Sequence, residues 1–250
     1  GGAGVTIADG VFLIDAADDG IHSNGTVTID GGDLSIASGD DGIHADGSVT
    51  VNDGDVRITQ SVEGVEGGVI TINDGSTWVV SSDDGVNVSG DGDTSTTGGG
   101  FGGPPGATTA ATAYTGDFRL HINGGTLVVD AEGDGLDANG AIDMTGGVVI
   151  VNGPTQNGNG ALDYDAGFDI AGGLLVAADS GGMAVAPTAT SSQNSVLINF
   201  TAAQEAGTLV HIEDSEGNTL LTFAPAKAFQ SLVLSSPDLV TGTTYNVYVG

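Results

Sequence analysis

Apolar and polar residues alternate in short bursts that return at a fixed interval along most of this chain. In residues 26–47, TVTIDGGDLSIASGDDGIHADG, Val27 and Ile29 alternate with Thr26 and Thr28, and Leu34 and Ile36 with Ser35. A period of two marks half-buried strands. Between the bursts stand Gly31 and Gly32, where the chain bends without a Cβ restriction, and a second turn comes at Gly42 before Ile43 points inward again. Residues 5–25, 48–68 and 69–90 repeat the same template. It resumes over 118–140 and 141–167, and a worn copy starts at Phe168. The period is 21–22 residues, with one longer turn around 154–160.

Three short strands in a unit of this length predict an all-β chain wound as a right-handed parallel β-helix, whose equivalent residues stack about 4.8 Å apart. A leucine-rich repeat has a similar period but needs its leucine consensus and a helical segment, and neither is present. Aligning the units gives two inward rows, Ile7, Ile29, Val51, Ile72, Ile122, Met144, Ile170 and Ile14, Ile36, Ile58, Val79, Val129, Val151. Two segments break the pattern. Residues 91–117 are rich in Gly, Thr and Pro and read as a flexible excursion from one turn. From about residue 190 the period is lost, and segments such as SVLINF, TLVHIED and TTYNVYVG predict antiparallel strands. The expected organisation is therefore a β-helix over 1–188 and a small C-terminal β module over 189–250 that caps the helix end.

Charge narrows the partners. Three basic residues stand against 33 acidic ones, a net charge of -30. Such a surface repels nucleic acid and anionic membranes, and no apolar run is long enough to span a bilayer. Cations are its natural partners. There is no cysteine, hence no disulfide framework, and Gly1 to Gly4 have no signal-peptide character.

The repeat concentrates the acids at the turn after the second strand. Stacking predicts one file of Asp19, Asp41, Glu63, Asp84 and Asp134, and beside it a file of His22, His44, Glu66, Asn87, Asp137 and Asp163. Carboxylates about 5 Å apart repel by roughly 3 kcal/mol per pair at an effective dielectric near 20. A bound cation would offset this. Calcium (Ca2+) fits, because it takes six to eight oxygens in flexible geometry, whereas transition metals call for more histidine or for cysteine. The bland alternative is a solvated acidic face, Asp-Gly being ordinary turn chemistry; register argues against it. His22 and His44 form a stacked pair that could serve as ligands or in catalysis, but they read first as ladder residues hydrogen-bonded within the turn.

The recurrent DDGIH, GDGLDANG, the Gly-rich insertion, VVIVNGPTQNGNGALDYDAG and the tail string APAKAFQS resemble a family of secreted bacterial and archaeal carbohydrate-binding proteins. These have a pectate-lyase-like β-helix that binds cellulose and acidic sugars, with calcium in the helix. The resemblance implies calcium at Asp19, Asp41, Asp84, Asp134, Asp137 and Asp163, an extracellular or cell-surface location, and binding without catalysis. The third turn departs from the pattern, with Glu63 and Glu66 in place of Asp and His.

The polysaccharide partner needs a surface. An outward row holds Leu13, Ser35, Arg57, Trp78, Val128, Ile150 and Val176. Trp78 could stack on a pyranose while Arg57 pairs with a sugar carboxylate, unless the 91–117 insertion covers the indole. Val128, Ile150 and Val176 call for cover by the C-terminal module or a partner. Lyases of this fold need a basic proton acceptor, and glycosidases need one distinct carboxylate pair; a lone arginine and acids repeated in every coil fit neither. A threonine file (Thr6, Thr28, Thr50, Thr71) lacks the second matched file that ice binding needs. A further alternative is a calcium-promoted filament or matrix subunit. The first coil starts at Val5, so its end is expected to expose Ile7 and Ile14 and to self-associate head to tail.

Overall fold

A computed structural model describes residues 4–89 and 117–250 of the chain. The repeat winds as predicted. Seven strands, Val11–Ala16, Asp33–Ser38, Asp55–Gln60, Ser76–Ser81, Thr126–Ala131, Val148–Asn152 and Leu174–Asp179, pair in parallel into one face of a solenoid. The first and third strands of the coils form the other face, an 11-stranded sheet. Among the described residues there is no helix, and so none able to cross a membrane.

Both inward rows stack in the expected register, and Ala177 continues the second. Ile29, Ile36, Val79 and Met144 have no exposed surface. The parallel ladder runs straight across the gap. Val65–Ile72 pairs with Arg119–Ile122, and Val86–Val88 with Leu136–Ala138. The predicted flexible excursion at 91–117 lies outside the described residues but for its last position.

Two glycine files have different causes. Gly32, Gly54, Gly75 and their equivalents bend the chain at positive φ, a conformation open to glycine. The file Gly20, Gly42, Gly64, Gly85, Gly135 does not. There a Cβ would collide with the next coil: at Gly85 it would lie 2.2 Å from Val129 Cγ1 and 2.6 Å from the Gly135 carbonyl. The file ends in Ala161. Among the described residues no further coil pairs beyond Leu162–Tyr164, and Ala177 replaces the β-branched neighbour.

A polar ladder that the pattern reading missed lines the turn after the first strand. Asn52 donates to Asp30, Asn73 to Asn52, Asn123 to Asn73 and Thr145 to Asn123, at 2.7, 2.8, 2.9 and 3.1 Å. Its trace in the sequence is a polar residue directly after the first strand of five repeats, Asp30, Asn52, Asn73, Asn123 and Thr145, with alanine at the first and last coils.

In the C-terminal tail, Phe229–Ser235 pairs antiparallel with Leu174–Asp179, and Ser195–Gln204 pairs with Phe229–Ser235. Val233 and Leu197 thereby close the solenoid core. The remaining strands Val210–Asp214, Thr219–Phe223 and Tyr245–Val249 form a small antiparallel sheet. Val210, Ile212 and Leu221 from it join a second core with Val176, Leu232 and Leu234, so the predicted cover over Val176 is supplied by the tail. Lys227 fastens this tail to a coil: its ammonium donates to the Ala131 carbonyl at 2.6 Å and lies 2.8 Å from Asp130 and 3.1 Å from Glu132.

At the first coil one expectation is corrected. Ile7 is buried and Ile14 half-buried, because both point into the core. The exposed apolar residues of this coil are instead Val11 and Leu13, at 83% and 86%, which point outward on the edge strand, and Phe12 between them, at 36%.

Candidate functional site: an acidic turn ladder and an aromatic platform

The acidic turns stack through their backbones. Gly20, Gly42, Gly64 and Gly85 donate to the carbonyls of Asp41, Glu63, Asp84 and Asp134, at 2.8–3.0 Å. This stacking sets the first acid file, and side chains reinforce it. Asp19 Oδ1 accepts from the Asp41 amide, Asp41 Oδ1 from the Glu63 amide, and Asp84 Oδ1 from the Asp134 amide, at 3.2, 3.3 and 2.6 Å. Each of these aspartates spends one oxygen on the next coil. Glu63, one methylene longer, turns aside to accept from Asn87 Nδ2 at 2.8 Å. The second file, His22, His44, Glu66, Asn87, Asp137 and Asp163, is paired residue by residue through strand register.

The ladder is not a solvated face. Asp41, Glu63 and Asn87 are each 7% exposed, and among the file acids only the terminal Asp163 stands out in solvent. Burial, reinforced by neighbouring carboxylates, pushes Asp41 and Asp137 up to about 8, Glu63 and Asp84 to about 7 and Asp134 to about 6. At Asp41 the next cause after burial is a hydrogen bond with Glu66. At Asp137 it is the charges of Asp84, Asp134 and Asp163. Asn87 Oδ1 is buried among these acids without a hydrogen-bond partner, a costly state for an acceptor.

Two chemistries occupy the ladder. At its N-terminal end His22 Nδ1 lies 2.6 Å from Asp19 Oδ2, and His44 Nδ1 lies 3.4–3.6 Å from oxygens of Asp19, Asp41 and Glu66. Beyond Glu66 the donors are oxygens alone. Among the described residues, trios able to converge on one ion are Asp19/His22/His44, Asp41/His44/Glu66 and Asp18/Asp19/Asp40. The acids Asp84, Asp134, Asp137 and Asp163 influence one another electrostatically but form no such trio.

The outward row aligns as read, Leu13–Ser35–Arg57–Trp78–Val128–Ile150–Val176. Trp78 is 47% exposed, and the Arg57 guanidinium lies 6.0 Å from the indole centroid. Asp55 holds that guanidinium through two bonds of 3.1 and 3.0 Å. The result is a flat apolar ring beside a fixed, solvent-facing polar group. Whether residues 91–117 cover Trp78 concerns residues outside the described ones.

The fold and these two surfaces define a parallel β-helix with a buried acidic ladder and an exposed aromatic platform. Residues 1–42, the first coil and most of the second, match the model of a family described as "Carbohydrate-binding domain-containing protein". No curated protein and no solved structure matches the chain. The family match over these residues and the solenoid together fit a carbohydrate-binding β-helix.

Proposed function

We propose that this protein binds polysaccharide, cellulose or an acidic glycan, at the extracellular surface without turning it over, and that calcium in the turn ladder rigidifies the binding face. The observation that carries the sugar reading is the Trp78–Arg57 platform, an exposed indole edged by a guanidinium. An indole of this kind stacks on the apolar face of a pyranose, and a guanidinium pairs with a uronate. The calcium reading rests on Asn87. Its orphaned amide oxygen is buried beside Glu63, and Asp84, Asp134 and Asp137 act on one another along the same turns, all of them oxygen donors of the kind a hard cation takes. Calcium would keep those carboxylates ionised where burial otherwise protonates them.

Binding without turnover is supported by the basic residues, all of which are engaged. Arg57 is held by Asp55, Arg119 lies 2.6 Å from Asp143, and Lys227 is committed to the tail. An elimination needs a free base instead. The test is glycan-array and pull-down binding with and without chelator, on the native protein and on Trp78→Ala. The reading predicts loss of binding in the variant with intact thermal unfolding, and no unsaturated or reducing-end products. Undiminished binding by Trp78→Ala, or product formation, would overturn it.

A second reading, self-association, is favoured by the exposed apolar pair Val11 and Leu13, which point outward on the strand Val11–Ala16. Sedimentation with and without calcium tests it: a monomer at all concentrations removes it.

A further inference from the structure

The geometry points to a second class of metal site at the N-terminal end of the ladder: a first-row transition-metal ion of the zinc type, held by His44, Asp41 and Glu66, with Asp19 beside His44. This site is independent of whether calcium occupies the all-oxygen turns.

Distances around one imidazole define it. His44 Nδ1 lies 3.4 Å from Glu66 Oε2, 3.5 Å from Asp41 Oδ2 and 3.6 Å from Asp19 Oδ2. These separations are too long for charge-assisted hydrogen bonds, which contract to about 2.7–2.9 Å. An imidazolium in this nest would close on one of the three carboxylates around Nδ1, or through Nε2 on Asp46, 3.7 Å away. His22 does so, at 2.6 Å from Asp19, and His44 does not. A water at the centre would hold four partners about 2.8 Å from itself and so about 4.6 Å from one another. The observed edges are shorter by about an ångström. The edges from His44 Nδ1 to Asp41 and Glu66 suit an ion about 2.1–2.2 Å from the nitrogen and these two oxygens, within the range of zinc bonds to histidine and carboxylate.

Donor type then selects the metal. Calcium takes oxygens almost exclusively, whereas an imidazole nitrogen among carboxylates suits zinc, manganese or iron(II). The nitrogen occurs only at this end, because the second file changes from His to Glu to Asn and Asp along the solenoid. His22 acts here as a positioning residue. It fixes Asp19 Oδ2 beside His44 Nδ1 while Asp19 Oδ1 accepts from the Asp41 amide, and so helps hold two of the ligands in place. The His44 side chain keeps 24% exposure, enough for an ion to enter from solvent.

The test uses the whole protein, stripped with chelator and then saturated with calcium, and titrates Zn2+ by calorimetry and Co2+ by its visible d–d absorption. One equivalent of Zn2+ should bind in the presence of calcium, and Co2+ should give a spectrum carrying a nitrogen ligand. His44→Gln should abolish both. His22→Gln should weaken zinc about 10–100-fold, as loss of an outer-shell partner does. Asp137→Asn should leave zinc binding intact, as should His121→Gln and His211→Gln. No zinc uptake over calcium, or uptake indifferent to His44→Gln, overturns the inference. Should His44→Gln fail to fold, the imidazole 15N signals of the native protein decide: a zinc-induced shift at His44 Nδ1 supports the site, and an unmoved signal refutes it. A protein that binds zinc but no calcium retains this site and loses the calcium reading.

Discussion

Metal-free protein should lose stability as the pH rises through neutrality, the reverse of the usual behaviour of surface aspartates. Asp41 and Asp137 titrate near 8 in the folded chain, and Glu63 and Asp84 near 7. Unfolded, Asp and Glu titrate near 3.9 and 4.3. A carboxyl whose folded pKa is raised stabilises fully below its unfolded pKa and loses that contribution as pH rises through the folded value. Around pH 6 the folded chain therefore holds about four protons that the unfolded chain has released. The linkage slope for four protons is about -5 kcal/mol per pH unit. Partial solvent access screens these groups and they share one another's protons, so about -2 kcal/mol per unit is the working figure. At about 2–4 °C per kcal/mol for a chain of this size, Tm should fall by about 4–8 °C per pH unit between pH 6 and 8. The assay is thermal unfolding by circular dichroism in excess EDTA. Added calcium should raise Tm most at pH 8, where it adds about 2.7 kcal/mol of stability at 100 times its Kd. A metal-free Tm that is flat or rising over this interval would refute the buried-ladder reasoning.

Gly85→Ala should cost about 3 kcal/mol or more in urea unfolding, since its Cβ meets both Val129 and the Gly135 carbonyl. Gly158→Ala, with nothing within 4 Å of its Cβ, should stay within about 0.5 kcal/mol of the native chain. Lys227→Met should destabilise by about 1–3 kcal/mol, with hydrogen exchange showing the tail strands freed before the coils. Asp84→Ala should lower calcium stoichiometry by elemental analysis while Asp33→Ala, an exposed residue at another turn, leaves it unchanged.

The repeat was legible because a solenoid makes register a local property. Every coil stacks on its copy one period away, so aligning residues 22 apart is the same operation as pairing strands. That is why the inward rows, both files of the ladder and the Arg57–Trp78 juxtaposition could be read directly. The tail resisted for the opposite reason. Nothing periodic says that Phe229–Ser235 joins the last coil antiparallel, or that Val210 and Ile212 cover Val176.

Within the ladder, composition and spacing determined which residues share a file, and only the stacked backbone decided their chemistry. Desolvation turns Asp41 and Asp137 into weak acids, and it depends on what lies over each turn rather than on the residue itself. A one-letter repeat treats His22 and His44 as equivalents. The terminal coil leaves His22 with Asp19 at hydrogen-bond length, whereas the interior coil surrounds His44 with four carboxylates at longer range. The glycines divide likewise. Gly32 follows from the turn its neighbours make, but Gly85 is required by the Val129 methyl of another coil, a contact that exists only once the chain has wound back on itself.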